Sequence, residues 1–358
     1  MRILSLELKH FRCFAFYTVP IEGSFTVLVG DNGSGKSTVL EALHYACYLR
    51  SFRTAHAKEL IALGQQAFFV KVVLAVRDTE QDTLEIGFSG NQRLLKINGK
   101  KVTSYKELLD SYRIITVTED DLLLIKGGPE QRRAFIDAAV MLHEPTYIQL
   151  LKEHKAILAQ RNSLLYAKRK PDTLSYEIWT EKLWLCASAI AQKRSNLLKQ
   201  LEKEVKALTP LFFPQEQQVE LTYLSKKDVD TSSWELFLAN LPLLAAQEER
   251  MGRSCFGAHV DDFSFIFKQA SLQRYASRGQ QKLMVLLLKI AQFKLGVPTI
   301  FLLDDFITDL DPEVLRKLLA LLIRLKTQII IATPHLEDSF LEKLAPCNPA
   351  YVFLPGMK

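Results

Sequence analysis

The sequence predicts an α/β fold in two parts: a sheet carrying a phosphate-binding loop, and a mostly helical second lobe with a short antiparallel helical arm. Three observations carry this. Gly30 to Thr38, GDNGSGKST, lies between an apolar run, Phe25 to Val29, that reads as a strand and a segment, Val39 to Leu49, that reads as a helix. The carboxy-terminal third alternates helix (Leu283 to Leu295), strand (Thr299 to Leu303), helix (Pro312 to Leu325) and strand (Gln328 to Ala332), which implies a parallel sheet covered by helices and containing the Phe25 strand. Between them, about His143 to Leu208 is helical and broken once, at Lys170-Pro171-Asp172. The two helices of this arm are each too short for an extended coiled-coil rod.

The remaining elements follow from alternation and turn chemistry. Leu4, Leu6 and Leu8 alternate with Ser5, Glu7 and Lys9, a half-buried strand rather than the unbroken apolar core of a signal peptide. Strand-like runs at Phe68 to Arg77, Thr83 to Phe88 and Arg93 to Ile97, with the turn pair Asn98-Gly99, predict an antiparallel sheet beside the loop. Ile114 to Thr118 is a further β-branched run, and Pro129 stands at a first helical position. Segment 209 to 250 is the least informative, with a strand at Gln218 to Tyr223 and a helix around Trp234 to Arg250. Trp179 and Trp184 read as core rather than as base-stacking platforms. Domain boundaries are expected to give a discontinuous head, 1–118 and 253–358, and a helical lobe with its arm, 119–252.

At 358 residues and 48% hydrophobic composition the chain can fill a sizeable core, and no stretch approaches a membrane span. Cys13, Cys47, Cys186, Cys255 and Cys347 show no C-x-x-C spacing, which suits reduced thiols in a cytoplasmic protein. The net charge of +6 permits a nucleic-acid partner without requiring one. The excess is concentrated between Lys152 and Lys206, where twelve Lys or Arg face six Asp or Glu. Lys168-Arg169-Lys170 in this stretch reads either as a guide for a phosphate backbone or as a solvated helix pair.

The chemistry is concentrated at the loop. Gly30, Gly33 and Gly35 let successive N–H groups turn into one small volume, Lys36 adds a positive charge, and the helix that begins here points its unpaired N–H groups at the same anion. The candidate nucleotide-binding set is Gly30, Asn32, Gly33, Ser34, Gly35, Lys36, Ser37 and Thr38, with the Ser37 hydroxyl available to magnesium. The apolar strand IFLLDDF ends in two carboxylates: Asp304 is expected to orient the magnesium shell, and Asp305 to accept a proton from attacking water. Asp305 and Lys36 are the candidate catalytic pair. Ser277-Arg278-Gly279-Gln280 opens a second long apolar helix and has two readings, a plain Ser N-cap or a second phosphate-seeking terminus. On the second, Ser277, Gly279 and Gln280 complete a site on another molecule, since one nucleotide cannot readily use two such termini of one chain. About 240 residues separate the two motifs, which disfavours a transporter subunit.

These phrases, with LLDDFITDLDP and IIIATPH, resemble the head of ABC-type ATPases and, within that class, the RecF family of bacterial DNA repair proteins. RSFRTA, KGGPEQRRAFID, QRNSLL and GAHVDDF extend the resemblance over nearly the whole chain. It implies ATP and Mg2+ as ligands: Lys36 on the phosphates, Ser37 and Asp304 on magnesium, Asp305 on water, Ser277 with Gly279 on the nucleotide of the other protomer, and Asp311 at the dimer contact. It also implies an ATP-dependent homodimer that binds duplex and gapped DNA, works with RecR and RecO in loading recombinase, hydrolyses ATP slowly and resides in the nucleoid. An Asp at position 305, where most ABC ATPases have Glu, shortens the reach to water by one methylene and agrees with slow turnover. Four phrases depart from the family. The phosphate loop has Ser34, Ser37 and Thr38 as SMC heads do, Val260 replaces the arginine of Gly-Pro-His-Arg-Asp-Asp, and Val117 to Leu122 and Thr308 to Asp311 are altered. Arg132 and Arg133 read equally as contacts to DNA or a partner and as an exposed structural pair, and His335 reads better as a loop histidine than as a phosphate sensor.

Overall fold

The computed structural model describes the chain except residues 77–79, 104–106, 109–110, 167–172, 214–218, 226–232, 268–269, 297–299, 307–309, 334–343, 346–347 and 355–358. His335, Lys168-Arg169-Lys170 and Thr308-Asp309 therefore lie outside the described residues. In chain order the elements begin β1 (Arg2–Phe11), β2 (Phe14–Pro20), β3 (Phe25–Val29), α1 (Lys36–Tyr48), β4 (Ala67–Ala75), β5 (Gln81–Ser89), β6 (Gln92–Ile97), β7 (Lys100–Lys101) and β8 (Ile114–Val117). Next come α2 (Pro129–His143), α3 (Tyr147–Tyr166), α4 (Thr173–Leu208), β9 (Val219–Leu224), α5 (Trp234–Met251), β10 (Asp262–Phe267), β11 (Ala270–Ser271) and α6 (Arg278–Lys294). The chain closes with β12 (Ile300–Asp304), α7 (Pro312–Arg324), β13 (Ile329–Thr333) and β14 (Ala350–Phe353). Among the described residues no helix is long and apolar enough to cross a membrane.

The chain divides into two compact units, Met1–Asp121 with Gly296–Lys358, and Leu122–Leu295. In the first, five parallel strands run β14-β3-β13-β12-β8. FTVLV, IIIAT and IITV are buried at every position, as strands covered on both faces require. The second sheet is antiparallel, β2-β1-β4-β5-β6-β7, and β4 alternates buried and half-buried residues as its sequence does. Asn98 (φ 52°) and Gly99 (φ 76°) form the left-handed turn that pairs β6 with β7. Helix α1 shares one core with both sheets: Val39, Leu40, Leu43 and Ala46 cluster with Leu6, Leu8 and Val70 and with Leu28, Leu302 and Ile330. This explains why α1 is apolar almost all round. The Gln328 side chain joins the sheets as a strand would. Its Oε1 accepts from Ile3 N at 2.6 Å and its Nε2 donates to Ile3 O at 2.8 Å.

The second unit is built on the helix pair α3 and α4, to which α2, α5, α6 and the small sheet β11-β10-β9 are added. Segment 253–295, placed with the head in the sequence reading, falls in this unit because β10 pairs with β9 along its whole length and α6 packs on α4. Trp184 is half-buried in an aromatic cluster, its ring 5.2 Å from Trp234 and 6.3 Å from Phe237. Arg132 and Arg133 are internal ties. Arg132 grips Asp262 through Nε and Nη2 at 2.7 and 2.8 Å and donates to the Gly127 carbonyl, while Arg133 donates to the Asp261 carbonyl at 2.7 Å. The structural reading of that pair is the one its contacts support.

In the same unit His154 and His259 meet with ring centres 5.8 Å apart. Burial, with His259 and Arg194 nearby, holds His154 down at about 4, against an ordinary 6.5, and burial lowers His259 as well. Both are neutral in the fold at pH 7, whereas the unfolded chain takes up protons below its ordinary histidine range. Their contribution to stability is therefore present above pH 6.5 and lost as pH falls toward 4, on the order of 3 kcal/mol for His154. Urea midpoints are expected to fall over this window in wild type and to fall less steeply in His154→Leu; parallel curves would exclude the pair as the acid-sensitive element.

Candidate nucleotide site

The loop after β3 has the backbone of an anion cradle. Gly35 has φ 96°, and a Cβ there would lie 2.4 Å from the Phe14 ring, so only glycine fits. At Gly30 a Cβ would lie 2.5 Å from Ser34 Oγ and 3.1 Å from Ser34 Cβ, so a side chain there would force Ser34 to move. Gly35 caps α1 without a side-chain hydrogen bond, which leaves the first N–H groups of the helix available to a ligand. The helix starts at Lys36, three residues before the sequence reading placed it. Lys36 is 4% exposed, and its ammonium donates to the Gly30 and Asp31 carbonyls at 2.6 and 2.9 Å.

Sheet order brings the carboxylates to this loop. β12 lies one strand beyond β13 from β3, roughly 10 Å away, and all three end on the same side. Asp304, the last residue of β12, bridges that gap: its Oδ1 accepts from Ser37 Oγ at 2.8 Å. Burial raises the Asp304 carboxyl to about 6, the Ser37 hydroxyl opposes this, and the charge of Asp305 adds to it. Asp305 leaves the strand at φ 51°, and its amide donates to the Ala332 carbonyl at 3.3 Å. A cavity of about 440 Å³ is lined by Asn32, Gly33, Gly35, Lys36, Ser37, Thr38 and Asp305. The hard-oxygen pair Ser37 and Asp304 suits magnesium, and the N–H groups with Lys36 suit phosphates.

Sequence reasoning missed Arg12, Cys13, Arg53 and Glu59, which line the same cavity. Arg12 sits in the β1–β2 turn and holds Glu41 through Nε and Nη2 at 3.0 and 2.7 Å, with Arg53 3.6 Å from the same carboxylate. The available signal was Glu41 itself: an acid on a helix buried all round, here 0% exposed, requires a cationic partner. Ser277, Gly279 and Gln280 belong to the second unit, apart from the P-loop's own. Ser277 Oγ accepts from Gln280 N at 3.3 Å and Gln280 Oε1 accepts from Ser277 N at 3.0 Å, a reciprocal cap that starts α6 at Arg278. Asp311 likewise caps α7, accepting from Glu313 N at 2.9 Å.

A P-loop at the end of a buried parallel strand, joined by its serine to an Asp-Asp strand end, defines the nucleotide-binding head of the ABC type. The family model for the RecF/RecN/SMC N terminal domain matches residues 2–345. The chain is 31% identical over 353 residues to the DNA replication and repair protein RecF of a Synechococcus sp., covering 94% of this chain and 92% of that one. It is 29% identical over 349 residues to the RecF of a Cyanothece sp., again covering 94% and 92%. Among solved structures, the recombination mediator protein RecF-ATP in the RecFOR pathway superposes with a TM-score of 0.83 at 25% identity, covering 94% of this chain and 93% of that one. The Smc head domain of Pyrococcus furiosus shares the fold alone, with a TM-score of 0.57 at 18% identity and coverage of 96% and 91%. The chain belongs to the RecF family and is a RecF-type DNA replication and repair protein.

Proposed function

We propose that the chain is an ATP-controlled DNA clamp. The observation that carries this is the assembled half-site, in which Lys36, Ser37 and Asp305 line one cavity and Asp304 is held behind it by the Ser37 hydroxyl. ATP would take the loop N–H groups, and Lys36 would exchange its two carbonyl acceptors for phosphate oxygens. Asn32 and Thr38 line the phosphate end. Ser37 and Asp304 would hold Mg2+, which supplies charge neutralisation at the phosphates when bound. Asp305 is the proton acceptor for water. A second copy contributes Ser277, Gly279 and Gln280; in support, Ser277 is exposed at the start of α6, and a side chain at Gly279 would meet nothing within 4 Å. The related RecF-ATP structure supports ATP as the nucleotide.

In this reading ATP bridges two copies, the closed homodimer grips duplex DNA near single-stranded gaps, and slow, DNA-stimulated hydrolysis releases it. RecR and RecO are the expected partners in recombinase loading, in the cytoplasm at the nucleoid. The test is steady-state ATP hydrolysis with and without duplex DNA, with Lys36→Arg as control. DNA-raised turnover that the control loses is the expected result. ATP binding without turnover in either condition would replace the clamp with an ATP-sensing adaptor.

A further inference from the structure

At the far end of α1 from the P-loop, the first unit holds a second basic pocket, of about 330 Å³. Arg50, Arg53 and Arg93 line it, and among the described residues no carboxylate does. Arg53 is partly satisfied by Glu41, at 3.6 Å, but Arg50 and Arg93 have no acidic partner among the described residues. Two such guanidinium groups around one concavity repel each other, and a bound anion relieves that cost. Tyr45 supplies the second observation. The residue is 1% exposed, its hydroxyl is buried without a hydrogen bond of normal geometry, and the Arg93 guanidinium carbon lies 5.7 Å from its ring centre. Burial raises the Tyr45 hydroxyl above its ordinary range, so it stays protonated and able to donate, while Arg93, within reach of the hydroxyl oxygen, acts in the opposite direction.

The pocket wall is shaped before any ligand arrives. Ser51 Oγ accepts from the amides of Arg53 and Thr54 at 2.9 and 3.1 Å and is tied to Glu41 in turn. The negative end of α1 opposes an anion here, but it amounts to roughly half a charge, and the Leu49 amide already caps the Tyr45 carbonyl. Two unneutralised guanidinium forks outweigh it. Their combined charge matches a phosphate monoester, which carries about −1.5 to −2 at neutral pH, better than a singly charged diester. The volume admits an ester as large as a mononucleotide. We infer that Arg50, Arg93 and the Tyr45 hydroxyl form a second phosphate site, sharing only Arg53 with the P-loop cavity, that takes a phosphate monoester.

Calorimetric titration with inorganic phosphate, on the full chain loaded with one equivalent of a non-hydrolysable ATP analogue and freed of excess, tests this. Failure of the analogue to bind is scored separately and bears only on the P-loop reading. One phosphate per chain is expected in wild type, with affinity reduced at least about tenfold in the exposed double variant Arg50→Gln/Arg93→Gln and several-fold in Tyr45→Phe. No uptake by the wild type, or equal uptake by the double variant, overturns the site. Two further titrations identify the source of the ester. Displacement of phosphate by adenosine monophosphate assigns a small ester. A recessed 5′-phosphate that tightens DNA binding over a 5′-hydroxyl, with the difference lost in the double variant, assigns a DNA end. Either result supports the site.

Discussion

Replacing Arg161 or Glu248 by alanine is expected to lower the unfolding free energy of the Leu122–Leu295 unit by about 3–5 kcal/mol, the largest stability effect of any single substitution considered. Both side chains are fully buried. All five guanidinium N–H groups of Arg161 are used: Nε donates to Thr180 Oγ1, Nη1 to Glu248 Oε1 and Ser254 Oγ, and Nη2 to Glu248 Oε2 and Tyr176 OH. The rings of Tyr176 and Phe256 each lie 4.8 Å from the guanidinium carbon. Glu248 is equally committed, accepting also from Tyr176 OH and the Cys255 amide. Removal of one partner strands the other charge in a buried site, and that desolvation accounts for most of the expected loss. Urea unfolding of the single variants and of Arg161→Met/Glu248→Leu separates the possibilities. The apolar double variant should recover most of the stability. A single-variant loss below about 1 kcal/mol would show that water enters and solvates the remaining charge.

Arg161 also shows where sequence reasoning stops. QRNSLL was legible as a family phrase, but nothing local revealed the role of its arginine. The partner lies 87 positions away, in the segment that carried least pattern. The P-loop was legible because its strand, three glycines, lysine and helix start are contiguous, and each is required for a local reason. Asp304 and Asp305 were legible because a strand of the same buried sheet must end beside that loop. Arg12 and Arg53 were not, since a β-turn and a loop supply them and only the buried Glu41 hinted at either. Arg132 and Arg133 were left open for a similar cause: their acceptors, Asp262 and the Asp261 carbonyl, arrive from about 130 residues downstream. Sequence periodicity reported which faces are buried, while long-range polar pairing was set by topology.

Asp305→Asn is expected to lower ATP turnover by about 10²–10⁴-fold while leaving ATP binding intact, and to prolong the ATP-bound dimer. The backbone makes this substitution a clean one. At φ 51° Asp305 occupies the left-handed region, which Asp and Asn tolerate far better than other non-glycine residues, so asparagine keeps the conformation and shape and removes only the proton acceptor. Asp305→Glu tests reach separately. It adds the methylene found in most ABC ATPases, but places a longer side chain at the same left-handed φ, at a cost of order 1–2 kcal/mol. If reach alone limited turnover, Asp305→Glu would raise it; if the strained position sets the geometry, turnover falls although a carboxylate is present. Single-turnover hydrolysis, with dimer lifetime followed in the same samples, distinguishes these outcomes. Unchanged turnover in Asp305→Asn together with rapid dimer dissociation would remove Asp305 from the base role and leave Asp304, held by Ser37, and Glu59 as the remaining carboxylates at the site.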